Sequence, residues 1–208
     1  MTDFEQEPAA AASLFGDRIE LARQFTRNLA DQGEERGLIG PLELPRLWSR
    51  HILNCVIVAP LVRPGLVGDV GSGAGLPGLV LAIARPDVSF ALIEPMERRV
   101  AWLSEQVDEL GLSNVTVVRA RAEDARLDGP LDQVTARAVS AFRKLLPLTA
   151  PLVRDGGELV LMKGAAASSE VEAAAKEIRK FAVHDIEVLT LGEGVLDEVT
   201  RVIRAVIR

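Results

Sequence analysis

The chain contains no tyrosine, one cysteine, two histidines and only 4% aromatic residues among its 208. A single thiol, Cys55, excludes an internal disulfide. So few aromatic rings exclude base stacking as the main way of holding a nucleic acid. No apolar run approaches the roughly 18 residues of a membrane-spanning helix. The opening MTDFEQEPAA is acidic and lacks the basic stretch that starts a secretory signal. The expectation is a cytoplasmic protein with no membrane partner. Metal is not expected either: His51 and Cys55 stand one helical turn apart, but His184 is remote and no second thiol exists.

What is present fits one sizeable α/β domain with a small appendage: 48% hydrophobic and 26% charged residues over this length. The net charge of -6 is unevenly spread. Residues 1–35 hold eight acids against Arg18, Arg23 and Arg27, leaving a net of only -1 for the rest. The acidity is therefore mainly N-terminal, and it neither favours nor excludes an RNA partner.

Residues 1–17, with Pro8 and an alanine run, read as a disordered lead-in. Residues 18–63 read as a helical cap. Its first helix carries Ile19, Ala22, Phe25 and Leu29 at helical spacing. Its second starts near Pro45, with Trp48, Ile52, Cys55 and Ala59 on one face, and stops before Pro64. From residue 64 to 208, strands alternate with helices. Strands are expected at Leu66–Val70, Ser89–Ile93, Val115–Val118, Asp132–Ala138 and Glu158–Met162. Val100, Leu103, Val107 and Leu110 mark the inner face of the helix after the second strand, and Ser169 with Glu172 reads as a capping box. Two last strands, near Ile186–Leu191 and Thr200–Ile207, have no helix between them. The pattern predicts a doubly wound, Rossmann-like sheet of seven mostly parallel strands, closed by an antiparallel hairpin at one edge.

The richest segment is Asp69-Val70-Gly71-Ser72-Gly73-Ala74-Gly75-Leu76-Pro77-Gly78, at the first strand–helix junction. Its glycines permit a sharp turn and close approach of a ligand, and Glu94, ending the second strand, stands where it can accept both hydroxyls of an adenosine ribose. Gly73, Gly75 and Gly78 satisfy the dinucleotide fingerprint GxGxxG, so an NAD-binding oxidoreductase remains an alternative. That register starts two residues late, whereas Asp69 fits the acidic first position of the methyltransferase pattern D-x-G-x-G-x-G. Arg121-Ala122-Glu123-Asp124, after the third strand, is placed to meet an adenine ring.

From about Arg23 onward the sequence resembles the bacterial RsmG family, also called GidB, of 16S rRNA guanine-N7 methyltransferases. The resemblance rests on Arg50-His51-Ile52-Leu53, the loop from Asp69 to Gly78, Arg98-Arg99-Val100, Arg121-Ala122-Glu123, Arg137-Ala138 and Lys163-Gly164. It implies the class I S-adenosylmethionine methyltransferase fold. It implies S-adenosyl-L-methionine as cofactor, and 16S rRNA or the small ribosomal subunit as substrate; a monomer is the simplest expectation. Cofactor contacts are expected from Gly71, Gly73, Gly75, Leu76, Glu94, Ala122, Glu123 and Arg137, and RNA contacts from His51, Arg121 and Lys163. Many relatives carry Asn-Leu-Thr fourteen residues before the histidine, where this chain has Gly37-Leu38-Ile39.

The expected chemistry is spare. Guanine N7 has a free lone pair, so methyl transfer needs in-line placement and no general base. Arg137 and Lys163, after the fourth and fifth strands, are the positioning candidates. Adenine-N6 methylation calls for an Asn/Asp-Pro-Pro-aromatic motif where the chain has Arg137-Ala138-Val139-Ser140, and C5-pyrimidine chemistry calls for a cysteine nucleophile where Cys55 lies in the cap. Phe142 beside Arg143 and Lys144 is placed either to stack a base or to fill the core. A small-molecule or protein methyltransferase shares all the cofactor residues, and a cofactor-binding module that holds RNA without transferring methyl is the non-enzyme alternative.

Overall fold

The short aliphatic and β-branched runs become strands in the computed structural model, which describes residues 4–208. They are β1 (Leu66–Val70), β2 (Ser89–Ile93), β3 (Val115–Val118), β4 (Leu131–Arg137), β5 (Val153–Lys163), β6 (Val183–Leu191) and β7 (Thr200–Ile207). One seven-stranded sheet holds them in the order β3-β2-β1-β4-β5-β7-β6. The first five pair in parallel, and β7 runs antiparallel to both β5 and β6. The chain thus builds the doubly wound sheet with its antiparallel closing strand. Connections run outward from β1 to β3, then return to β4 on the other side of β1. That reversal opens a crevice beyond the carboxyl ends of β1 and β4.

Helices cover both faces. They are α1 (Ala10–Phe15), α2 (Ile19–Gln32), α3 (Asn54–Val56), α4 (Gly78–Ala84), α5 (Glu97–Glu109), α6 (Phe142–Thr149), α7 (Ala167–Ala173) and α8 (Ala175–Lys180). One core joins Phe25, Leu29, Trp48 and Ile52 of the N-terminal segment to Leu79, Leu81, Phe90 and Trp102. A second, across the sheet, gathers Phe142, Leu145, Leu146, Leu159, Leu161 and Ile203. Each such side chain taken fully out of water contributes about 1.5–3 kcal/mol. The cap and the sheet therefore share apolar interior across the expected boundary at residue 64.

Several expectations need correction. The lead-in, expected to be disordered to residue 17, forms α1 from Ala10, because Ala11 and Phe15 bury themselves in the first core. Glu7 also fastens it, 2.6 Å from the Arg23 guanidinium. Met1 to Asp3 lie outside the described residues. The second cap helix is broken into π-helical turns at Leu47–Leu53, the short α3 and a 3-10 turn at Ala59–Leu61. Leu47, Trp48, Ile52, Leu53, Cys55 and Val56 are all buried, a wider arc than one stripe of a regular α-helix supplies.

The buried face of α5 is rotated toward Trp102, Leu103 and Gln106, leaving Val100 and Val107 half-buried. The indole of Trp102 finds an acceptor in the carbonyl of Ala74 at 3.0 Å, and Gln106 accepts from Asn28 at 2.9 Å. The capping box is absent: Ser169 lies inside α7 and its hydroxyl donates back to the carbonyl of Ala166. Ala167 is fully buried, and the helix starts three residues earlier than the box would place it.

Candidate functional site

The loop between β1 and α4 takes its shape from two glycines with different tasks. Gly71 has φ +73°, and a Cβ there would sit 3.0 Å from Val139 Cγ2. Gly78 has ordinary helical geometry, but a Cβ would meet Asp69 Oδ2 and Leu92 Cδ2 at 2.4 Å each. Its bareness lets the amide of Gly78 donate to Asp69 Oδ2 at 3.0 Å, so the start of α4 seats directly on the end of β1. Asp69 is fully buried, and its Oδ1 has no partner among the described residues. Burial pushes its carboxyl up to about 7 despite the hydrogen bond from the Gly78 amide and the nearby Ser72 hydroxyl, which donates to the Asp69 main-chain carbonyl at 2.9 Å.

Glu94 closes the crevice from the β2 side. It is 2% exposed, accepting from the amide of Gly73 at 2.9 Å through Oε2 and from that of Met96 at 3.0 Å through Oε1. Around it lies a cleft of about 550 Å³ lined by Gly71, Gly73, Leu76, Glu94, Met96 and Val139 on the sheet side. The cap completes the wall with Leu38, Ile39, Glu43 and His51. Carboxylate, side-chain-free glycine backbone and apolar side chains together suit an adenosine: diol to Glu94, ring to the apolar wall.

The expected cofactor residues do not all meet here. Gly71, Gly73, Leu76, Glu94 and Arg137 line the cleft, whereas Gly75 turns the loop behind it. Ala122 and Glu123 are absent from its lining. Ala122 instead packs into the second core with Ile93 and Phe142, and Glu123 is exposed. Arg121 is exposed as well. Phe142 is fully buried, which assigns it to packing and removes it as a stacking platform.

Arg137 leaves the end of β4 and reaches the cap. Its Nη2 lies 2.7 Å from His51 Nδ1, and Nη1 lies 3.3 Å from Cys55 Sγ. The carbonyl oxygens of Arg50 and His51 accept further bonds at 3.3 and 3.5 Å. On the far side of the ring, His51 Nε2 is 2.6 Å from Glu43 Oε2, and Arg46 donates to Glu43 Oε1 at 2.8 Å. Burial, then the neighbouring Arg137 charge, holds the His51 pKa below its ordinary value. Burial would raise the Glu43 carboxyl, but hydrogen bonds from His51 and Arg46 outweigh it and hold the group below the usual range. The Cys55 thiol is pushed up by its complete burial.

A second cleft, of about 640 Å³, opens on the other side of Arg137, Ala138 and Val139, which line both. Lys163 faces it from the end of β5, but its side chain is only 7% exposed. The ammonium donates to the carbonyl of Ser140 at 2.6 Å and pairs with Glu170 at 2.8 Å. Arg50, Glu198, Thr200 and Arg201 form the remaining wall. Sequence reasoning missed several members of the two clefts. Leu38 and Ile39 showed only as a departure from the relatives' Asn-Leu-Thr, Glu43 lies in the same irregular segment with no motif of its own, and Val139 and Glu198 sit in turns. Among the described residues, no group of three or more His, Cys, Asp or Glu side chains is placed to hold a metal ion.

Residues 18–199 match the GidB family model, described as rRNA small subunit methyltransferase G. A protein of Leifsonia xyli subsp. xyli named ribosomal RNA small subunit methyltransferase G is 81% identical over 209 residues, covering all of both chains. Among solved structures, a methyltransferase from Pyrococcus furiosus superposes with TM-score 0.62 at 14% identity, over 89% of this chain and 98% of its own. TYW2 of M. jannaschii, solved in complex with AdoMet, gives 0.58 at 21% identity, over 77% of this chain and 76% of its own. At such identities the solved structures speak for the fold alone.

Proposed function

Since the chain belongs to the GidB family of small-subunit rRNA methyltransferases, we propose the following division of labour for the transfer of a methyl group from S-adenosylmethionine to N7 of a guanine in 16S rRNA. The single observation that carries it is the pair of clefts meeting at Arg137, Ala138 and Val139. One has the chemistry of an adenosine site, and the other has room for a purine.

When bound, S-adenosylmethionine supplies an electrophilic methyl on a sulfonium. The chain's own residues bind and orient. Glu94 would accept the ribose hydroxyls, the bare backbone of Gly71 and Gly73, whose amides donate to Ile93 and Glu94, would let the amino-acid portion come close, and Leu38, Ile39, Leu76 and Met96 would cover the adenine. Gly75 sets the turn. Ala122 keeps a role only through its backbone, its side chain lying in the second core, and exposed Glu123 only at the outer edge of the ring. Arg137 orients the wall between the clefts, and Lys163 holds the Ser140 carbonyl of that wall. No side chain is asked to remove a proton, because N7 carries none. His51 acts by holding Arg137, and exposed Arg121 and Arg50 supply charge for phosphates.

Residues 18–63 are read as a cap that closes the cofactor cleft, and 64–208 as the methyltransferase domain. Among the described residues no helix is long and apolar enough to cross a membrane. The reading places the enzyme in the cytoplasm as a monomer acting on RNA. The test is transfer of labelled methyl from S-adenosylmethionine to small subunits from a strain lacking this gene. The expected product is 7-methylguanosine at one site by mass spectrometry. No incorporation into subunits or naked 16S rRNA, despite cofactor binding, overturns the reading.

A further inference from the structure

Adenine and guanine both present an unprotonated N7, so the reacting atom cannot by itself tell the two purines apart. They differ at position 6 beside N7, and at N1–H and the N2 amine on the far edge of the six-membered ring. A carboxylate is the side chain that accepts both far-edge hydrogens at once. The second cleft contains two carboxylates, Glu170 and Glu198. Glu170 is committed: its Oε2 lies 2.8 Å from Lys163 Nζ and accepts from the Phe142 amide at 2.7 Å. Glu198 is exposed, two residues before β7, and has no ion-pair or hydrogen-bond partner among the described residues.

Sheet order decides which end of the cleft Glu198 occupies. Following the sheet away from the glycine loop, Arg137 ends β4, Lys163 ends β5, and Arg201 pairs across from Lys163 near the start of β7. Arg137, Ala138 and Val139 separate the clefts, so a reacting N7 has to face that wall. Glu198 stands at the opposite end. From β4 to β7 is two inter-strand steps, about 9–10 Å, enough for a purine with a hydrogen bond on its far edge. O6, next to N7, falls to Lys163, whose ammonium keeps one donor beyond its bonds to Ser140 and Glu170.

We infer that Glu198 selects guanine: its carboxylate accepts N1–H and the N2 amine while N7 faces the Arg137 wall. This rests on the guanine-N7 reading above and adds to it the group that rejects adenine.

The test uses full-length enzyme and small subunits reconstituted with 16S rRNA carrying guanine, inosine or adenine at the methylated position. Inosine keeps N7, O6 and N1–H and lacks only the N2 amine. The wild type is expected to favour guanine over inosine in kcat/KM by about tenfold or more. In Glu198→Ala the guanine rate falls by at least about tenfold and the guanine-to-inosine ratio collapses toward one. Calorimetric affinity for S-adenosylmethionine, measured on the same variant, stays at the wild-type value and reports an intact fold. A Glu198→Ala enzyme that keeps the wild-type ratio overturns the inference, as does a wild type indifferent to the amine. A wild type that leaves guanine itself unmethylated overturns the reaction and the inference together.

Discussion

Arg137 Nη2 lies 2.7 Å from His51 Nδ1, and a guanidinium has only hydrogens to give. Nδ1 must therefore be an acceptor, so the proton of the neutral ring sits on Nε2 and is donated to Glu43 at 2.6 Å. Protonating the ring would turn Nδ1–H toward the Arg137 N–H, donor against donor. Burial first, and the Arg137 charge second, accordingly hold the His51 pKa below its ordinary 6.5. Near pH 6 the unfolded chain therefore binds a proton that the folded chain does not. The stabilising contribution is full above about 6.5 and is lost as pH falls from there toward the depressed folded value. Thermal melts between pH 7.5 and 5 are expected to show this loss in the wild type and to lack it in His51→Gln. Nitrogen NMR should show the Nε2–H form at neutral pH; an Nδ1–H form contradicts the arrangement.

Removing the guanidinium tests the same junction from the other side. Arg137→Ala leaves His51 Nδ1 and two cap carbonyls without their donor and frees the wall between the clefts. Hydrogen bonds to charged groups contribute about 1.5–3 kcal/mol each. A fall in kcat/KM of about 10- to 100-fold or more is the expected result, measured as methyl transfer to subunits. Arg137→Lys keeps the charge but has no fork to bridge His51 and Cys55, so it should restore little. Unchanged transfer by Arg137→Ala removes this residue from the site.

Glu94 does two jobs at once, and substitutions separate them. Its two oxygens hold the amides of Gly73 and Met96, so Glu94→Ala loses both the ribose acceptor and the loop's anchor. Glu94→Gln retains one oxygen acceptor and turns the other position into a donor. Calorimetry should find S-adenosylmethionine affinity reduced by about 10-fold in Glu94→Gln and more in Glu94→Ala. The melting temperature should fall mainly in Glu94→Ala. Equal affinity in all three proteins contradicts the ribose assignment.

The parts of this molecule legible in the sequence are those encoded by near neighbours in the chain. The loop from Asp69 to Gly78 and its distance from Glu94 forced a strand–turn–helix and an acidic strand end, and the structure has both. Arg137 was visible as a charged strand end, but its partners His51 and Cys55 lie 86 and 82 residues away, and no local spacing records that pairing. Lys163 read as a free cation for RNA because neither Ser140 nor Glu170 announces itself as its partner. Ala122 read as a cofactor neighbour, yet its small apolar side chain belongs to the second core. The α1 helix was missed for the opposite reason: an alanine run carries too little periodicity to show that one phenylalanine, Phe15, would pin it down.

Asp69 is the buried acid beneath the loop. With no partner for Oδ1, its ionised form is poorly tolerated, and its folded pKa is pushed up to about 7 from an ordinary 3.8. Here the folded state holds a proton that the unfolded state releases between about pH 4 and 7, so stability declines as pH rises through that window and levels off above it. Asp69→Asn keeps an oxygen to accept from the Gly78 amide and carries no charge at any pH. The variant should melt higher than the wild type above pH 7, with the advantage shrinking steadily toward pH 4. Thr135, the register partner of Asp69 on β4, has a buried hydroxyl that likewise lacks a partner among the described residues. If Asp69→Asn melts lower than the wild type at every pH, the carboxylate is satisfied by a group that this geometry does not contain, and the burial argument fails.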